Sequence, residues 1–156
     1  MTCEVIDFAA VFRDSWRAGT AIKCRHTQRG SVAMSTINET VANYIAAWNE
    51  TDAGRRREVI AHAWSDDGSY VDAHRDSTGH TAIDAMIAAV QERFPGYRFR
   101  LASGIEAHHN FVRFSWIAGG TEQAPLFFGG TDFAMLASDG RMRSVTGFVD
   151  AMPYIG

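Results

Sequence analysis

Leu126-Phe-Phe-Gly-Gly-Thr-Asp-Phe-Ala-Met-Leu136 reads as a β-strand that carries an acid among apolar residues. On the two-residue period of a strand, Asp132 shares a face with Phe128, Ala134 and Leu136. A charge on such a face costs several kcal/mol unless it is paired, and the group otherwise protonates. Two expectations stand side by side. Asp132 is a carboxylic acid kept neutral and able to donate a hydrogen bond, or it pairs with an arginine such as Arg113 on the adjacent strand.

The same alternation runs outward from this strand. Tyr97, Phe99, Leu101 and Ile105 fall on one side of a strand, with Arg98, Arg100 and Glu106 on the other. After a turn at His108-His109-Asn110, Val112, Phe114 and Trp116 share one side of the next. Ser138-Asp139-Gly140 is a hairpin turn, and Met142–Ala151 is the fourth strand. Gly119-Gly120 and Gly129-Gly130 read as a turn and a sheet bend rather than a phosphate cradle.

Upstream the period changes to that of a helix. Thr36-Ile-Asn-Glu39 has the pattern of a capping box, and Val41, Tyr44, Ile45 and Trp48 follow on one face. Thr51-Asp52 ends this helix and caps a second, with Val59, Ile60, Ala63 and Trp64 facing inward. Ser65-Asp66-Asp67-Gly68 reads as a turn, Tyr70-Val71-Asp72 as a short strand and Arg75 to Gly79 as a polar loop. Thr81-Ala-Ile-Asp84 opens a third helix through Ile83, Met86, Ile87, Val90 and Phe94, which Pro95-Gly96 stops. Three helices followed by antiparallel strands is an α+β arrangement, in one domain for 156 residues.

Residues 1–33 differ in character. They hold five Lys/Arg against three acids, whereas residues 34–156 hold ten arginines, no lysine and fifteen acids. A short amphipathic helix through Val5, Phe8, Phe12 and Trp16 precedes a glycine-punctuated linker. This segment is either a docked extension or sequence upstream of a domain spanning 34–156; the second is the expectation, which makes it dispensable.

The composition excludes several function classes. Cys3 and Cys24 both lie in the extension, so the domain has no thiolate nucleophile, Cys-ligated metal or disulfide framework. A net charge of −3 gives nucleic acid no basic face to bind. No stretch approaches the ~20 apolar residues of a membrane span. Glu4 and Asp7 stand where a secretory signal would be basic, so the chain is expected in the cytoplasm. His74, His80, His108 and His109 form no helical i, i+4 pair, and no metal or cofactor is expected.

Three residues remain as candidate chemistry. Asp72 ends a short strand where a carboxylate aims into the space between helix and sheet, or else is a solvated loop acid. Tyr44 places a phenol in the apolar stripe of the first helix, or else satisfies its hydroxyl locally in the core. Asp132 is the third.

These residues fall into a familiar pattern. Tyr44-Ile-Ala-Ala-Trp-Asn-Glu-Thr-Asp52, Trp64-Ser-Asp-Asp-Gly-Ser-Tyr-Val-Asp72 and Gly79-His-Thr-Ala-Ile83 resemble the opening of the nuclear transport factor 2-like superfamily. Gly130-Thr-Asp132 and Asp139-Gly-Arg-Met-Arg-Ser-Val145 with Phe148 resemble its last hairpin. The likeness covers residues 36–152 and is closest to the SnoaL-like and ketosteroid isomerase-like members. It implies a cone: a strongly bent sheet walls a pocket that the helices cover.

By the same likeness Tyr44 falls at the oxyanion-hole tyrosine of the ketosteroid isomerases, Asp72 at their general base and Asp132 at their protonated aspartic acid. Trp48, Phe94, Trp116, Phe128 and Arg113 are the expected substrate-binding residues. The expected partners are a small apolar ligand and a second copy of the chain, paired through the open face of the sheet. The leading function is acid–base catalysis without a cofactor on a small apolar carbonyl compound. The alternatives are a non-catalytic ligand-binding or dimerisation module, and epoxide hydrolysis with Asp72 or Asp132 activating water and Arg113 orienting its partner.

Overall fold

The structure, a computed structural model, describes residues 33–119, 121–122 and 127–150. The expected N-terminal helix and linker, both cysteines, Leu126 and Ala151 lie outside the described residues.

Helix α1 (Met34–Asn49) buries Ile37, Val41, Tyr44 and Trp48 on one face, as the periodicity requires. Its start corrects the capping-box expectation. Ala33 is the N-cap and no side chain caps the helix, because the first helical bond already runs from Ile37 N–H to Ala33 O at 3.1 Å. That places Thr36 inside the first turn. Helix α2 (Ala53–Ala63) is capped by Asp52, whose carboxylate accepts from the Arg55 amide at 2.8 Å. Helix α3 (His80–Arg93) buries Ile83, Met86, Ile87 and Val90.

The strands are β1 (Trp64–Val71), β2 (Asp76–Thr78), β3 (Phe99–Leu101), β4 (Glu106–His108), β5 (Phe111–Gly119), β6 (Phe127–Leu136) and β7 (Met142–Val149). They form one strongly curved open sheet in the order β2-β1-β7-β6-β5-β3, with β4 also on β5. The sheet is mixed rather than wholly antiparallel, since β1 runs parallel to β7. With three helices against it, the fold is the α+β cone expected.

Three local readings change. Residues 65–68 are no turn: β1 continues through them, shifting register against β7 between Trp64 and Ser69. Gly68 permits it, since a Cβ there would stand 2.8 Å from Ser65 O and 3.0 Å from Met142 O. The polar loop after Arg75 contains β2, which pairs back on β1. The strand expected from Tyr97 to Glu106 is split into β3 and β4, both hydrogen-bonded to the same edge of β5.

The inward faces of β5 and β6 carry Val112, Phe114, Trp116 and Asp132, Ala134, Leu136, all buried. They meet α1 through the ring of Tyr44, whose centroid is 5.2 Å from Phe114 and 5.0 Å from Trp64. Two polar ties fix the C-terminal end of α1 over the open end of the cone. Asn49 bonds both the N–H and the C=O of Phe99 at 2.8 Å, filling the place of a neighbouring strand. Gln91 donates to the carbonyls of Trp48 and Glu50, while the buried Arg56 joins Glu50 O, Gln91 and Asp84, the last at 2.6 Å.

Candidate active site

Between α1, α3 and the concave side of the sheet lies a cavity of about 250 Å³. Trp48, Phe94, Phe99, Trp116 and Phe128 form its aromatic wall, with Val90 beside them. The rings touch in sequence: Trp48–Phe99 at 5.2 Å, Phe99–Trp116 at 5.3 Å and Phe94–Phe128 at 5.4 Å between centroids. Tyr44 and Tyr70, both buried, close the inner end, while Asp72, His74, Arg75 and Asp150 stand at the outer end. An apolar chamber with a few convergent polar groups is the usual form of a small-molecule site.

Asp132 is fully buried directly behind this chamber. It faces Gly147 on β7 and Phe114 on β5, and the Tyr44 hydroxyl donates to its Oδ2 at 2.5 Å. Its Oδ1 makes no hydrogen bond of ordinary geometry among the described residues, although the Trp116 indole N–H is near enough to act on the carboxyl. Burial pushes the carboxyl up to about 6, against the pull of the Tyr44 hydroxyl and the Trp116 indole N–H, and the Asp72 charge adds a little more. Tyr44 is raised well above an ordinary phenol, first by burial and then by the adjacent Asp132. Near neutral pH the phenol thus keeps its proton and the carboxyl titrates.

Asp72 is held differently. Tyr70 donates to its Oδ2 at 3.1 Å, Arg75 to the same oxygen at 2.8 Å and the His74 amide to Oδ1 at 2.7 Å. Burial works to raise this carboxyl, but the His74 amide, Arg75 and Tyr70 together outweigh it and hold the group below the usual carboxylate range. Tyr70 itself is raised by burial, then by Asp132 and Asp72. It stands between the two acids.

Of the residues expected from sequence, Tyr44, Trp48, Asp72, Phe94, Trp116 and Phe128 line the cavity, and Asp132 lies behind it bonded to Tyr44. Arg113 does not join them. The alternation that turns Val112 and Phe114 inward turns Arg113 outward, where it is exposed and pairs with Glu106 at 3.3 Å. The expected Asp132–Arg113 pair is therefore absent, and the hydrolase reading loses its orienting arginine. Sequence reasoning passed over Tyr70 and Arg75. Tyr70 was within reach, because it shares a strand face with Asp72 two positions on. Arg75 was not, since a loop residue's partner depends on how the loop folds back.

Three helices against a strongly curved open sheet make a nuclear transport factor 2-like fold. Comparison with solved structures gives the narrower family. A protein from Agrobacterium tumefaciens str. C58, provisionally named an isomerase of the SnoaL-like family, is 41% identical over 76% of this chain and 100% of its own, with a TM-score of 0.70. The chain belongs to the SnoaL-like family.

More distant structures share the fold. A cystatin-like protein of unknown function from Methylobium petroleophilum PM1 is 15% identical over 81% of this chain and 83% of its own, TM-score 0.64. A protein from Jannaschia sp. CCS1, provisionally named a SnoaL-like polyketide cyclase, is 17% identical over 74% of this chain and 86% of its own, TM-score 0.60. No family model and no curated protein matches the chain.

Proposed function

We propose that the chain is an acid–base enzyme of isomerase or cyclase type whose side chains move a proton next to the carbonyl of a small apolar compound. The observation that carries this reading is the 2.5 Å Tyr44–Asp132 hydrogen bond, buried behind an aromatic cavity with Asp72 in its wall. Asp72, ionised at neutral pH, is the base. In its protonated form Asp132 donates to the Tyr44 oxygen, and the phenol proton is then free to stabilise the negative charge that develops on the carbonyl oxygen. Such acid–base and oxyanion contributions are worth roughly 10²–10⁴ each in rate. The provisional isomerase and cyclase names of the relatives agree with this chemistry.

Incubating the protein in D₂O with a panel of small cyclic ketones, and following exchange of the hydrogens beside the carbonyl by NMR, tests the reading. Exchange is expected in the wild type and lost in Asp72→Asn while ligand binding persists. One feature favours a second reading, a pocket that binds without reacting: Asp72 is engaged by Arg75 and His74, which weakens it as a base. Ketone binding without exchange in the wild type establishes that reading instead.

The outer face supports a proposal about assembly. Phe111, Phe133 and Phe148 stand on three adjacent strands, 48%, 48% and 60% exposed, with the last two rings 6.1 Å apart. Exposed aromatic surface of this kind marks an interaction site. Its occupant is a second copy of this chain.

A further inference from the structure

Two buried polar atoms of opposite kind on adjacent strands, the Trp116 indole N–H and Asp132 Oδ1, lack a hydrogen bond of ordinary geometry among the described residues. Trp116 is 5% exposed and Asp132 is fully buried. Trp116 pairs with Gly130 across the β5–β6 ladder, and Gly130 precedes Asp132 by two on the same inward face. The missing side chain at Gly130 shapes the contact. A Cβ there would stand 2.7 Å from Trp116 Cζ2 and 3.1 Å from Cε2, the carbon that carries the N–H. The Cζ2–Cε2 edge of the indole therefore lies over Gly130 on β6, two residues before Asp132. Buried N–H and carboxylate groups are costly to leave unsatisfied, and a tryptophan N–H in a core ordinarily finds a partner.

We propose that Trp116 is a positioning residue for Asp132: its indole N–H serves the carboxylate from the Oδ1 side while Tyr44 holds Oδ2. This builds on the catalytic reading of Tyr44 and Asp132, but it concerns the charge state of the carboxyl and is read without turnover. Among the described residues the titratable and charged groups facing Asp132 are few. Tyr44 comes from α1, Tyr70 from β1, and Asp72 with its Arg75 from the segment after β1. The directly paired neighbours on the flanking strands, Phe114 and Gly147, bring no charge. With Tyr70 donating to Asp72, Trp116 is the donor from a flanking strand that favours the ionised form of Asp132. It keeps Asp132 titrating near neutrality where burial alone would drive the carboxyl higher.

The test is a pH titration of the full chain by NMR, with labelled aspartate carboxyl carbons and labelled indole nitrogens. In the wild type the Trp116 N–H resonance should move with the same midpoint as the Asp132 carboxyl. In Trp116→Phe the proton affinity of Asp132 should rise about tenfold, which moves the midpoint up by about one pH unit. The melting-temperature gap between Trp116→Phe and wild type should also widen as pH rises through that midpoint, whereas a merely structural tryptophan gives the same gap at every pH. An indole resonance that stays flat through the Asp132 titration overturns the proposal, and needs no variant to fold. An unchanged midpoint in a folded Trp116→Phe overturns it as well. Ketone exchange plays no part in these readings, so a failed catalytic reading leaves them intact and separately decidable.

Discussion

Asp132 lies directly opposite Gly147 in the β6–β7 ladder, and a Cβ at Gly147 would stand 3.0 Å from Asp132 Oδ1 and 2.8 Å from the Tyr70 hydroxyl. The two oxygens occupy the room that a side chain would need. Gly147→Ala should push the Tyr70 ring and the Asp132 carboxyl apart while leaving the ladder bonds in place. Affinity for phenol-type ligands should fall about tenfold or more, with a stability loss of about 1–3 kcal/mol from overpacking. Calorimetric titration beside thermal melting separates the two effects.

Asp132→Asn should stabilise the protein at neutral pH. The folded-state carboxyl is raised from 3.8 to about 6, so its protonated form favours folding fully below the unfolded value. That contribution disappears as pH rises through 6, leaving an ionised group in the core. A rise from 3.8 to about 6 corresponds to about 3 kcal/mol. Denaturant melts should show Asn ahead of Asp by up to this amount at pH 7, and no difference below the ordinary carboxylate range. A variant less stable at pH 7 would mean that the ionised carboxylate is a net structural asset.

Arg75→Met should strengthen Asp72 as a base. Arg75 is one of the groups that hold this carboxyl low, so its removal raises the pKa toward the ordinary range. The acid limb of any pH–rate profile should move to higher pH. Stability has the opposite sign from Asp132. A depressed carboxylate contributes above its unfolded pKa and loses that contribution on acidification, so the variant should trail wild type at neutral pH and converge with it in acid. With Arg75 30% exposed at its side chain, the loss should be about 1 kcal/mol or less.

Asp84→Ala should cost far more than a surface ion pair. It strips the carboxylate from Arg56, whose side chain is 5% exposed and lies between α2 and α3. An uncompensated buried charge costs about 3–5 kcal/mol. Because Arg56 and Gln91 also bond the carbonyls at the end of α1, ligand affinity should fall along with the melting temperature.

Sedimentation should give about twice the 17.2 kDa chain mass at micromolar concentration. Phe148→Glu should return the monomer mass without loss of fold. A chain beginning at Met34 should behave as the full chain does; a monomer there would assign the covering role to residues 1–33.

Much of the architecture follows from periodicity. Spacing by three and four gave α1 its buried stripe of Val41, Tyr44 and Trp48, and alternation turned Phe114, Trp116 and Asp132 inward. Both are local geometry, so neighbours along the chain suffice to read them. The oddity of Asp132 was equally local: an acid on an apolar strand face is visible without coordinates. Arg113 could have been excluded on the same ground, since it alternates with Val112 and Phe114.

Other features depend on residues far apart in the chain. The Tyr44–Asp132 bond spans 88 positions, and only the approach of α1 to β6 brings its ends to 2.5 Å. The split of one expected strand into β3 and β4 was decided by hydrogen bonding to β5, and β1 passes through Asp66 and Asp67 between its pairs with β7 at Trp64 and Ser69. The state of Asp72 turned on a loop that folds Arg75 and the His74 amide back onto it. A side chain's direction is set by its own backbone, which sequence encodes step by step. Its partner and its proton affinity are set by what packs against it and how much water is excluded, and those are properties of the folded whole.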